Sequence, residues 1–135
     1  MKRLLFFILV ISMGYFTSCQ KDDTTKPNST KSIIDTWKVV EQSQTFGTQN
    51  YNTDISKDTS SSSKIIIDNF FNFGLGHFIH ATQSGQTLTI SNAVLDGYIF
   101  NGTGNISSNY NTITWNFSFE DGNGPENATA TYTRM

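Results

Sequence analysis

Few side chains in this sequence could carry chemistry, and they fall into four groups. Cys19 is the only cysteine, and His77 and His80 are the only histidines. Ser61, Ser62 and Ser63 offer three successive hydroxyls, and Glu120, Asp121, Asn123 and Glu126 crowd one short stretch. A lone thiol could be half of a disulfide, a buried core group or an attachment point. There is no second cysteine to complete a disulfide, and Gln20-Lys21-Asp22-Asp23 is too polar a neighbourhood for a core. Two histidines could share a metal ion. Three apart on a strand, however, His77 and His80 point to opposite faces, and neither has a cysteine or carboxylate beside it in sequence. No metal is expected. A calcium loop needs alternating oxygen ligands closed by a glutamate; the acids of 120–126 lack that spacing and read as an ordinary hairpin loop.

The hydroxyls fare no better. No base lies beside Ser61–Ser63, and no Gly-x-Ser-x-Gly elbow occurs, although triad members can meet in space from anywhere in the chain. Gly74-Leu75-Gly76 and Gly102-Thr103-Gly104 are not phosphate loops, because neither opens a helix and no Lys-Ser/Thr follows. The expectation is a chain with no catalytic residue and no cofactor.

The elements that place these groups begin with the leader. Met1-Lys2-Arg3 is cationic, Leu4 to Ile11 is unbroken apolar sequence, and Thr17 and Ser18 are small. This is the three-part pattern of a secretory signal. Leu4 to Phe16 is too short to span a bilayer, which takes roughly 20 apolar residues. Phe16-Thr17-Ser18-Cys19 resembles a bacterial lipobox, with Phe16 where that family usually has Leu, Val or Ile. The resemblance implies removal of residues 1–18 and acylation of Cys19. Lys21-Asp22-Asp23 is similar to the export signal of Bacteroidetes surface lipoproteins; the alternative is a generic solvated tether. Asp23-Thr24-Thr25 resembles the short O-glycosylation motif of those bacteria, with Thr24 as acceptor. Together these resemblances imply an outer-membrane, cell-surface protein whose membrane partner is reached through acyl chains on Cys19. Each buried methylene contributes about 0.8 kcal/mol, and stable anchoring takes more than one chain. Residues 19–31 then form a lipidated cysteine and a tether, since 20–31 contain no aliphatic or aromatic residue.

Residues 32–135 are the folded domain. Lys38, Lys57, Lys64 and Arg134 face nine Asp and Glu there, so nucleic acid, which needs phosphate-neutralising cations, is not expected as a partner. The apolar pattern has period two, the signature of half-buried strands. Strands are expected over 33–41, 51–56, 64–68, 76–83, 87–91, 98–107, 112–119 and 127–134. In the seventh, Ile113, Trp115, Phe117 and Phe119 share one face. Ile65-Ile66-Ile67 suggests burial on both faces, Gly102 and Gly104 a bulge or sharp bend, and Gln83-Ser84-Gly85-Gln86 a tight hairpin turn. Short connections favour neighbours pairing in order. The expected fold is all-β, an antiparallel meander of about eight strands closing into a calycin-like barrel, with a β-sandwich as the alternative.

Asp35-Thr36-Trp37-Lys38-Val39 resembles the Gly-Thr-Trp opening strand of lipocalin-like and calycin-like proteins, with Asp35 in the glycine's place. The resemblance implies that Trp37 plugs one end of a barrel. Asn69-Phe70-Phe71-Asn72-Phe73 is the least usual stretch. Phe71 is expected in the core and Phe70 or Phe73 at an exposed binding rim, against the alternative that all three pack under loops. The expected role is non-catalytic binding of a small apolar ligand, a glycan or a protein partner. The rim would be built from the Asn69–Gly76 and Glu120–Glu126 loops. An inhibitor or assembly subunit working by protein contact, without a ligand cavity, is the alternative, and a hydrolase comes third.

Overall fold

The structure is a computed structural model and describes residues 31–135. The leader, Cys19, Lys21, Asp22, Asp23 and Thr24 lie outside the described residues. Eight strands close into one antiparallel barrel in chain order: β1 (Asp35–Ser43), β2 (Gly47–Lys57), β3 (Lys64–Asp68), β4 (Phe78–Ser84), β5 (Thr87–Leu95), β6 (Tyr98–Ile106), β7 (Thr112–Glu120) and β8 (Glu126–Arg134). β1 pairs with β8 from Trp37↔Arg134 to Ser43↔Ala128, which removes the free edges a sandwich would keep. The barrel, not the sandwich, is the fold.

Alternation places the core. Trp37, Val39 and Glu41 of β1 point inward, as do Ile113, Trp115, Phe117 and Phe119 of β7 and Ala128, Ala130 and Tyr132 of β8. The isoleucine run follows the same rule. Ile65 and Ile67 are buried, while Ile66 is only half-covered on the outside. Burial on both faces does not occur, because nothing packs over the outer surface of a lone barrel.

The glycines of β6 also differ from expectation. Gly102 and Gly104 sit in regular register with Phe117 and Trp115. The irregularity lies on the neighbouring strand, between Ile90 and Ala93. There Asn92 takes a φ of 49°, and its amide donates to Asn101 Oδ1 at 2.8 Å. Gly102 and Gly104 are required instead for close approach, since a Cβ at either would press into β7.

In a meander the connections alternate between ends. The β2–β3, β4–β5 and β6–β7 turns and both ends of the described chain share one end, closed by Trp37. Its indole Nε1 donates to Ile33 O at 3.0 Å, and the Arg134 guanidinium lies 4.7 Å over its ring. Arg134 also donates to Tyr110 O, Ser32 O and Asp35. The first strand, the last strand and the chain entry are thereby tied together.

The wall is weakest between β4 and β5. These pair only over Thr82↔Thr89 to Ser84↔Thr87, although both strands run on. A hollow of about 640 Å³ opens on the outside of this seam, between Phe78 and His80 on one strand and Ala93 and Val94 on the other.

Candidate functional site at the barrel mouth

The other end of the barrel carries the β1–β2, β3–β4, β5–β6 and β7–β8 connections. The β3–β4 connection folds into it as a stopper. Asn69, Phe71 and Asn72 all adopt left-handed backbone angles, φ 54°, 59° and 60°, which coil the chain into one 3-10 turn, Phe70–Asn72. Such angles are uncommon for residues other than glycine. They are held here by side-chain amides: Asn69 Nδ2 donates to Asn52 O at 2.6 Å, Asn69 Oδ1 accepts from the Gly74 amide at 2.7 Å, and Asn72 Nδ2 donates to Gln49 Oε1 at 2.9 Å. Backbone conformations of this kind leave no periodic trace in a sequence.

The coil turns Phe70 inward. It is fully buried, 5.1 Å from the Phe100 ring and 5.5 Å from Phe117. The expectation that Phe70 could line an exposed rim is corrected: the left-handed turn aims it down the barrel. Phe71 is buried as expected, with its ring centroid 4.7 Å from that of Phe119 and tilted against it. Phe73 is half-buried, packed against Phe71 at 5.4 Å and Tyr98 at 5.6 Å. The packing of all three under the loop is what the structure shows.

The exposed ring of the mouth is one that the alternation pattern passed over. Phe46 lies in the three-residue β1–β2 connection, where Ser43 pairs with Gly47 and Gly47 supplies the positive φ such a hairpin needs, 65°. Phe46 is 41 % exposed. It packs on Phe71 at 5.3 Å, Phe119 at 5.8 Å and Tyr98 at 6.5 Å. An isolated aromatic in the turn Gln44-Thr45-Phe46-Gly47 was the available signal.

The β7–β8 loop adjoins the Phe46 turn. A hollow of about 420 Å³ lies there, lined by the rings of Phe46, Tyr98 and Phe119 together with Asp121, Asn123 and Glu126. The polar wall is pre-set by its own hydrogen bonds. Glu126 Oε1 accepts from the Thr45 amide at 2.7 Å, and Oε2 accepts from the Thr45 hydroxyl. The Thr45 side-chain bond, then its amide, hold the Glu126 carboxyl below its usual range. Asp121 Oδ1 accepts from the Asn123 amide and from its Nδ2, both at 3.0 Å. Glu120 belongs to the end of β7 and is half-buried. The acids of 120–126 thus form a hairpin loop that faces aromatic rings.

The histidines are placed differently from expectation. His77 precedes β4 rather than lying on it, so strand alternation does not separate the pair, and both rings are exposed. His77 Nδ1 is 2.6 Å from Asp96 Oδ2, and His80 Nδ1 is 2.9 Å from Asp58 Oδ2. Each has found a carboxylate distant in sequence. Asp58 Oδ1 also accepts from the Ser60 amide at 2.8 Å and hydroxyl at 2.6 Å, and these bonds lower its carboxyl. Here the aspartate stands between hydroxyl and imidazole. A hydrolytic triad needs the imidazole in the middle, where it can take the hydroxyl proton. Among the described residues no three His, Cys, Asp or Glu side chains gather closely enough for a metal ion.

One polar group lies deep inside the barrel. Glu41 is 1 % exposed. Its Oε2 accepts from the Tyr51 hydroxyl at 2.5 Å. Burial pushes its carboxyl up to about 7, against the lowering effect of that hydrogen bond. Burial likewise raises the Tyr51 and Tyr132 hydroxyls.

No protein-family model matches the chain, and no curated protein matches it. Solved structures do. The chain is similar to EF1p2_mFAP2b bound to DFHBI, with a TM-score of 0.58 and 15 % identity over 76 % of this chain and 94 % of that one. It is also similar to the redesigned β-barrel mFAP1 bound to DFHBI, with a TM-score of 0.56 and 18 % identity over 76 % of this chain and 95 % of that one. A third, the redesigned β-barrel b11L5F_LGL, gives a TM-score of 0.52 and 13 % identity over 76 % and 92 %. At these identities the likeness is one of fold: an eight-stranded barrel of the calycin type.

Proposed function

We propose that the protein is a non-catalytic binding protein, held at an outer membrane through acyl chains on Cys19, whose barrel mouth takes a sugar ring. The observation that carries this reading is the mouth hollow, whose lining combines the exposed Phe46 ring and the half-buried Tyr98 ring with the carboxylate of Asp121 and the amide of Asn123. A pyranose has that same division. Its C–H face packs on an aromatic ring, and its rim hydroxyls donate to carboxylate and amide oxygens. Mouths of β-barrels are common ligand sites, and two of the similar designed barrels are bound to DFHBI. A wholly apolar ligand is less well matched, because one wall of the hollow is polar.

Orientation supports the same reading. The tether would leave at the Trp37 end, where Ser32 is bonded to Arg134, so an anchor at Cys19 puts the mouth on the side away from the lipid. The protein-contact alternative draws on Phe78, 47 % exposed, and Val94, 70 % exposed, along the β4–β5 seam.

The test is a glycan array probed with the full lipidated protein in detergent micelles. A retained glycan should be lost or weakened about tenfold or more by Phe46→Ala and by Asp121→Ala, the scale of a contact residue truncated at a site centre. Phe78→Ala should leave it unchanged. Retention that ignores both mouth variants, or no retained glycan at all, rejects the reading. Cys19→Ser should release the protein from the membrane fraction; membrane retention of that variant rejects the anchor.

A further inference from the structure

The described residues hold five Lys and Arg side chains: Lys31, Lys38, Lys57, Lys64 and Arg134. Three of them, Lys31, Lys57 and Lys64, line one hollow of about 260 Å³ at the Trp37 end of the barrel. Lys57 closes β2, Lys64 opens β3, and Lys31 is where the described chain begins. All three are exposed, and among the described residues none of them is in an ion pair. Asp58 is the one carboxylate in the lining, and it is already engaged. Its Oδ1 accepts from the Ser60 amide and hydroxyl, and its Oδ2 lies 2.9 Å from His80 Nδ1. Ser61, Ser62 and Gln83 bring hydroxyl and amide donors to the same lining. The other end of the barrel is charged the opposite way. Asp68, Asp96, Glu120, Asp121 and Glu126 stand at the mouth, with no Lys or Arg among the described residues there.

Ammonium groups only donate, so the partner of this hollow presents several anionic acceptors side by side. A layer of lipid phosphates does so. We infer that the Trp37 end of the barrel seats on an anionic lipid surface, with headgroup phosphates at the hollow of Lys31, Lys57 and Lys64. The inference deepens the anchoring reading and rests on its placing lipid at position 19. Twelve residues of chain from Cys19 to Lys31 keep the hollow within about 40 Å of an anchor. The field of exposed charges reaches only about 10 Å at ordinary salt, so the tether brings the barrel within range and the lysines then fix its tilt. The acidic mouth is repelled by the same surface and turns outward. Each lysine near an anionic surface strengthens the attraction about fivefold. Attraction on that scale orients an anchored barrel and does not replace the anchor, so an unacylated chain still washes off.

All eight strands and the core lie within residues 31–135, so the polypeptide from Cys19 onward folds without the leader. Cys19 is its only thiol and can be coupled to a maleimide lipid in a nanodisc. Attachment is then supplied by chemistry, and failure of the seat is distinguishable from failure of natural acylation. A nitroxide on the lipid headgroups broadens the amide signals of whatever lies near the surface. On discs containing phosphatidylglycerol, the Ser61 and Ser62 amides should broaden more than on discs of phosphatidylcholine alone, and the Phe46 and Asn123 amides should stay sharp. Lys57→Gln and Lys64→Gln should each shift the seated-to-free ratio about fivefold toward free, while Lys38→Gln, on the outer wall of β1, should shift it less. The comparison of the two discs uses one unaltered protein, so a folding defect in a variant cannot imitate it. Equal broadening on both discs, broadening centred on the mouth, or seating untouched by the Lys57 and Lys64 changes overturns the inference. Inorganic phosphate that moves the Ser61 and Ser62 amides while both discs behave alike would assign the hollow to a free anion and overturn the lipid surface as its partner.

Discussion

Gly102 offers a prediction in which two opposed effects can be weighed. Replacing a glycine in a strand interior by alanine ordinarily gains about 0.5–1 kcal/mol through reduced chain entropy and better packing. At position 102 the added Cβ would sit 2.3 Å from Phe117 Cβ and 2.7 Å from both Asn116 O and Phe117 Cα. Two of these atoms are backbone of the paired strand and the third is fixed to it, so no rotamer change relieves the contact. β6 and β7 would have to part where Gly102 pairs with Phe117. Overpacking of a filled interior costs about 1–3 kcal/mol, occasionally more, and here the upper part of that range applies. The net expectation for Gly102→Ala is a loss of about 1–3 kcal/mol, equivalent to a melting temperature lower by about 4–8 °C for each kcal/mol in a domain of this size. Urea unfolding followed by tryptophan fluorescence measures it. Gly104→Ala meets the Trp115 ring at 2.8 Å, a side chain with some freedom to tilt, and should lose less. A Gly102→Ala midpoint at or above that of the parent refutes the argument.

Glu41 predicts a pH dependence. Its pKa is raised in the fold to about 7 from 4.5, so between those values the folded state keeps a proton that the unfolded chain has lost. Stability therefore falls as pH rises through that window, by up to about 3 kcal/mol, and levels off above it. The slope between about pH 5 and about pH 8 should be smaller in Glu41→Gln than in the parent; equal slopes exclude Glu41 as its source. Trp37→Ala removes a wholly buried ring from the closed end and should cost about 3–5 kcal/mol, with a fitted urea midpoint as the readout. Amide exchange should be fastest, within the strands, at the ends of β4 and β5 that lack mutual pairing. Uniform protection around the barrel would count against a weak seam.

The legibility of the fold followed the chemistry of each segment. β7 was readable because Thr112 to Phe119 alternates without a break, and a half-buried strand permits little else. β3 was readable in extent, but Ile66 shows that three isoleucines do not report how many faces are covered. β2 begins at Gly47, earlier than its pattern indicates, because Thr48, Gln49 and Asn50 are polar and their strand state comes from pairing with β1. Gly102 and Gly104 suggest a bulge, yet the irregularity sits across the ladder at Asn92, because a glycine needed for close approach reads the same as one needed for a bend. Half of the candidate site was visible, in the acids of 120–126. The aromatic half was not, because left-handed angles at Asn69, Phe71 and Asn72 reassign which phenylalanines face water. Glu41 appears in sequence as one more charged residue of an amphipathic strand; only closure of the barrel makes it interior.

The bond between Arg134 and Ser32 has a mechanical consequence. A pull on the N terminus, resisted at the mouth, runs along β1, which is bonded on one flank to β2 and on the other to β8. Both ladders are then loaded in shear, so their hydrogen bonds resist together instead of yielding one after another. The Arg134 clamp meets the load first, making the Trp37 end the one built to bear tension.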